Sequence, residues 1–147
     1  MAGEESKAVV QCLYDELFNR GHAAVADQLV CAEFVDHGAA PGAPRGPAGM
    51  RLAVARLRAA VPDGRYVLEE LIGEDDRVAA RVTVVGSRRG SEAEPTAPAG
   101  RVTQAQMHDL RLIGGRVSDL WAVQDEVAPP LRGSEGGHAV RRQGMRD

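Results

Sequence analysis

The hydrophobic period of this chain changes near its middle, and that change sets the fold class. Up to Val61 apolar side chains recur every three or four residues; from Tyr66 to Gln124 they alternate. The first period belongs to a helix with one buried face, the second to a half-buried strand. Helices grouped ahead of strands predict an α+β domain, with three N-terminal helices packed on a curved antiparallel or mixed sheet.

Punctuation divides the helical half. Residues 6–20 carry Val9, Val10, Leu13, Leu17 and Phe18 on one stripe, and Gly21 follows at a usual helix stop. A shorter helix is expected over 23–30, then an extended piece over 31–37 that ends in Val35-Asp36-His37. Residues 38–47 hold too much Gly and Pro for regular structure. Pro47 suits the first turn of a third helix, whose spacing groups Met50, Ala53, Val54, Leu57 and Val61. Strands are expected at 66–72, 77–85, 101–112 and 116–124, with turn signals at Glu74-Asp75-Asp76 and Gly114-Gly115. Residues 86–100 read as a long polar hairpin loop. The domain is expected over 1–128, and 129–147 reads as a disordered tail in which His138 has no chemical role.

Composition excludes several classes of function. A length of 147 residues fits one core and one domain. The net charge is −3 and the arginines are dispersed, so the basic face of a nucleic-acid binder is missing. Its one basic cluster, Arg141, Arg142 and Arg146, falls in the tail. No run approaches the roughly 18 apolar residues of a membrane span. The polar stretch 1–7 does not read as a signal peptide, and a cytoplasmic location without a membrane partner is expected. Cys12 and Cys31 are too few for a disulfide framework and lack metal-ligand spacing. Phosphate loops and dinucleotide fingerprints are missing too, so neither metal nor cofactor is expected.

The last hairpin holds most of the candidate chemistry. With Gly114-Gly115 as a two-residue turn, Gln104, Gln106, His108, Leu110 and Leu112 share a face with Val117, Asp119, Trp121, Val123 and Asp125. An apolar face holding a few polar groups is the expected lining of a small-molecule pocket. A three-residue loop would instead bring Leu120, Ala122 and Gln124 beside His108 and turn Asp125 away; the two-residue turn gives the more coherent apolar face. Its outer face would then carry Thr103, Met107, Asp109, Leu120 and Ala122. His108 reads as a general base or hydrogen-bond donor, because imidazole titrates near working pH, or as a satisfied sheet histidine. Asp125 and Asp119 are the candidate carboxylates, and burial in an apolar pocket would raise either one toward a proton shuttle's pKa. Asp36 and His37 stand at the pocket mouth or serve the loop, and Phe18, Met50 and Ala53 face inward. Five aromatic residues in the whole chain predict a mainly aliphatic cavity for a flat or polycyclic apolar ligand.

Four stretches carry a family resemblance: FVDHGAAPG at 34–42, AVPD at 60–63, LEELIGEDDRVAARVTVVG at 68–86 and MHDLRLIGGRVSDLW at 107–121. In order and spacing the chain resembles the SnoaL-like polyketide cyclases of the nuclear-transport-factor-2-like superfamily. The resemblance implies a cone formed by a bent sheet wrapped around helices, a homodimer, and cofactor-free acid/base chemistry of aldol type on a polyketide-like carbonyl compound. It places His108 in the pocket, and its catalytic aspartate falls at position 122, where this chain has alanine. That departure keeps open an epoxide-opening or cofactor-free hydroxylating enzyme, and a binding module without turnover. Catalytic candidates are thus His108, Asp125 and His37; substrate-binding candidates are Phe18, Asp36, Met50, Ala53, Gln106, Leu110 and Trp121.

Overall fold

The computed structural model describes residues 3–59, 61–87 and 101–124. Helix α1 (Gly3–Cys12) runs straight into a π-helical stretch, Leu13–Asn19, where the sequence predicts one uniform α-helix. Gly21, at φ 74°, ends it. The widened segment buries Leu13, Tyr14, Leu17 and Phe18 together, and it stacks Tyr14 on Phe18 with ring centres 4.1 Å apart. Short α2 (Val25–Leu29) leads to strand β1 (Val30–Asp36), and α3 spans Gly46–Ala59 with Pro47 in its first turn, where a missing N–H costs nothing.

Four strands follow: β2 (Arg65–Glu74), β3 (Arg77–Ser87), β4 (Arg101–Ile113) and β5 (Arg116–Gln124). They join β1 in one five-stranded mixed sheet of order β1-β5-β4-β3-β2, with β1 parallel to β5 and the other pairs antiparallel. The α+β expectation holds, with the helices on one face of the sheet. Val78, Ala80, Val82 and Val84 of β3 and Leu110 and Leu112 of β4 meet Val10, Leu13, Phe18, Met50 and Ala53 in a single core.

Gly114-Gly115 is the expected two-residue turn: Ile113 pairs with Arg116, and both glycines have positive φ. The register beyond it is not the preferred one. Arg111 pairs with Asp119 but Leu112 pairs with Val117, so Ser118 is an extra residue on β5. This bulge reverses the alternation of everything after it. His108 therefore faces Ala122 and Leu110 faces Leu120, while Trp121 pairs with Asp109 on the outer side. Leu120, expected outside, is fully buried.

Asp125, most of the expected hairpin loop (88–100) and the expected tail with His138 lie outside the described residues. Among the described residues, no helix is long and apolar enough to cross a membrane.

Candidate functional site

Alternation along β4 turns Gln104, Gln106 and His108 into the interior, where all three are at most 4% exposed. They form a chain of hydrogen bonds that begins on the N-terminal helix. The Tyr14 hydroxyl donates to His108 Nδ1 across 94 residues of sequence. His108 Nε2 donates to Gln106 Oε1 at 2.8 Å, and Gln106 Nε2 donates to Gln104 Oε1 at 2.8 Å. This direction fits a neutral imidazole with its proton on Nε2, since Nδ1 must accept. Burial drives His108 from 6.5 down to about 4, so it is neutral at pH 7. Burial, and then the neighbouring Tyr66, hold the Tyr14 phenol well above its ordinary value, so it keeps the proton it donates.

Aromatic rings stand beside His108 on the helix side, while its partners across the sheet are Ala80 and Ala122. Tyr14 and Phe18 lie with ring centres 5.6 Å and 6.2 Å from the imidazole, and Tyr66 packs edge-on against Phe18 at 5.1 Å. Three of the chain's five aromatic residues thus converge here. Neither tyrosine follows from the hairpin pattern, though signals for both exist. Tyr14 stands four residues from both Val10 and Phe18, and Tyr66 opens the alternation of β2.

The sequence-derived candidates separate into two groups. Phe18, Met50, Ala53, Gln106, Leu110 and His108 are buried on the interior side. Trp121 and His37 are not with them: their rings stack at 4.4 Å and 6° on the outer face, and the Arg77 guanidinium lies 5.2 Å from the Trp121 ring centre. Asp119 is out there too. His37 Nε2 donates to its Oδ2 at 2.9 Å, and Ser118 Oγ lies 2.6 Å from its Oδ1. Partial burial would raise Asp119, but those two hydrogen bonds and the nearby His37 and Arg111 outweigh it and leave the carboxyl below its ordinary value. Asp119 is therefore no partner for His108, and the cause is the bulge at Ser118.

Asp36 closes β1 with its side chain only 4% exposed, and its Oδ2 accepts from Arg56 of α3 at 3.1 Å. Its other oxygen accepts from the Gly38 backbone N–H at 2.9 Å, so the carboxylate serves the loop. Asp36 and His37, with Arg45, line a pocket of about 300 Å3 under that loop, and His108 is not among its lining residues. Among the described residues no cluster of His, Cys, Asp and Glu could hold a metal ion.

No curated protein matches this chain. Solved structures do. TsrD from Streptomyces laurentii superposes with a TM-score of 0.67 at 22% identity, over 85% of this chain and 91% of that one. A SnoaL-like polyketide cyclase from Agrobacterium tumefaciens gives 0.66 at 19% identity, over 94% and 96%. AclR of Streptomyces galilaeus, a candidate hydroxylase, gives 0.63 at 22% identity, over 84% and 91%. At these identities the likeness is one of fold. The model of the SnoaL-like polyketide cyclase family matches residues 8–130, and the chain belongs to that family.

Proposed function

We propose that this protein binds a neutral, apolar carbonyl compound of polyketide kind and promotes its enolisation without a cofactor, toward ring closure or isomerisation. The observation behind this reading is the buried His108 imidazole, held by Tyr14 and Gln106 in the interior between the helices and the sheet. With a pKa of about 4 it is a weak base at pH 7, so its role is that of a hydrogen-bond donor. A substrate carbonyl that takes the place of Gln106 Oε1 receives the Nε2 proton as a hydrogen bond. As the Cα–H bond breaks, its electrons move to that oxygen, and a fixed donor in a dry site stabilises the enolate. The Cα proton goes to a carboxylate. Asp125 remains the proposed acceptor, because Ala122 occupies the position across from His108 and Asp119 is on the outer face.

Proton exchange at the α-carbon tests this without knowledge of the natural substrate. Incubation of 1-tetralone with the protein in D2O should speed loss of the α-proton signals in 1H NMR, and His108→Phe or Asp125→Asn should abolish the gain. Full exchange by His108→Phe would discard the assignment. A second reading, a binding module, draws on the same chain, because both imidazole nitrogens already have protein partners. Bound 1-tetralone with no protein-dependent exchange would favour it.

A further inference from the structure

Tyr66 has a fixed position and a hydroxyl without a hydrogen-bond partner in good geometry. Its backbone is clamped by one side chain of the π-helical segment: Asn19 Nδ2 donates to Tyr66 O at 2.9 Å, and Tyr66 N donates to Asn19 Oδ1 at 2.7 Å. Its ring packs edge-on against Phe18, and the Arg58 guanidinium carbon lies 5.9 Å from the ring centre. Arg58 is itself anchored, with Nη1 donating to Phe18 O at 2.7 Å and to Gly64 O at 3.0 Å. The residue is 3% exposed, yet its Oη has no hydrogen-bond partner. Burial raises the phenol to about 12, offset in part first by the Arg58 charge and then by the Gln106 amide. That amide approaches the phenol oxygen as a donor but falls short of good hydrogen-bond geometry, and no acceptor meets the Tyr66 proton.

A buried hydroxyl without a partner costs about 1–3 kcal/mol, and folded proteins rarely keep one. Here it stands beside the only buried histidine among the described residues, through Phe18 and Gln106. The two phenols differ in one respect that matters. The Tyr14 proton is committed to His108, and the Tyr66 proton is committed to nothing. The buried polar side chains at this point are Tyr14, Tyr66, Gln104, Gln106 and His108, and none is charged at neutral pH. Arg58, the charged group beside Tyr66, lies over the ring face with its N–H groups donating to the backbone oxygens of Phe18, Pro62 and Gly64. Such a site suits an uncharged oxygen acceptor, because a buried anion is expensive unless a cation can bond to it, and the Arg58 donors are already engaged by backbone carbonyls.

We infer that the Tyr66 hydroxyl is a second substrate-binding donor beside His108 Nε2, and that it takes a neutral carbonyl oxygen of a ketone, ester or quinone rather than a free carboxylate. Its bond is the one that is new on binding, because His108 only exchanges Gln106 for the ligand. The inference rests on the reading of the His108 interior as a ligand site, and it concerns recognition rather than turnover. Proton exchange can fail while carbonyl recognition stands, and the reverse, so the two fail separately.

The test compares 1-tetralone with its hydrocarbon counterpart tetralin, by ligand-observed NMR titration of the wild-type protein and Tyr66→Phe. The wild type should bind the ketone about fivefold more tightly than the hydrocarbon, the scale of one neutral hydrogen bond. In Tyr66→Phe that preference should vanish while tetralin affinity is kept, and urea denaturation should show a stability equal to or above wild type. A ketone preference that survives in Tyr66→Phe overturns the inference, as does a wild type with no preference. A Tyr66→Phe protein that is less stable, or fails to fold, overturns it too, because the hydroxyl would then already be satisfied in the free protein.

Discussion

Replacement of His108 by glutamine should remove most of the stability this protein loses on mild acidification. The folded imidazole titrates at about 4, against 6.5 in an unfolded chain, and burial is the cause. Between those values the unfolded chain binds a proton that the folded chain refuses, so falling pH favours unfolding. Stability on this account is whole above pH 6.5 and declines as pH falls toward 4. The full gap is worth about 3 kcal/mol, and about 2 kcal/mol of it is lost by pH 5, before most carboxylates titrate. The groups that touch the ring keep one state across this range: Tyr14 stays protonated and Gln106 does not ionise. Glutamine can accept from Tyr14 and donate to Gln106 yet cannot take a proton. The assay is urea denaturation of both proteins at pH 7 and pH 5. Wild type should lose about 2 kcal/mol more than His108→Gln between the two conditions. Parallel losses would refute the buried neutral histidine, and with it the donor role proposed for it.

Three further outcomes follow from the geometry. Tyr14→Phe leaves His108 Nδ1 buried without a donor and should cost about 1–3 kcal/mol in urea denaturation, whereas Tyr66→Phe costs nothing; equal effects would contradict the hydrogen-bond assignment. Trp121→Ala removes the ring on which His37 stacks but touches nothing on the His108 side, so 1-tetralone affinity should stay within about twofold of wild type, well under the effect of one lost hydrogen bond; a large loss would place Trp121 in the site after all. The homodimer implied by the family resemblance would cover the outer sheet face, where Met107 is 50% and Val123 68% exposed; Met107→Glu should then turn a dimer into a monomer in sedimentation velocity, and a monomeric wild type would end that proposal.

Much of this arrangement is legible along the chain, because it depends on neighbours in sequence. The shift from a helical to a two-residue period separates helices from strands, Pro47 and Gly21 mark helix ends, and Gly114-Gly115 makes the hairpin turn. Strict alternation on β4 puts Gln104, Gln106, His108, Leu110 and Leu112 on one face whatever the partner strand does. The partner strand is another matter. One extra residue, Ser118, moves Trp121 and Asp119 to the outside and brings Leu120 and Ala122 in. No local pattern announces it, since Val117 and Leu120 are buried by a packing demand that propensity does not encode. The π-helical widening at Leu13–Asn19 is of the same kind, and so is the meeting of Tyr14, Tyr66 and His108 from three distant elements. A period reports which way a residue points from its own backbone. Which residues then share a space depends on register and long-range closure, and these are set by the whole core packing at once.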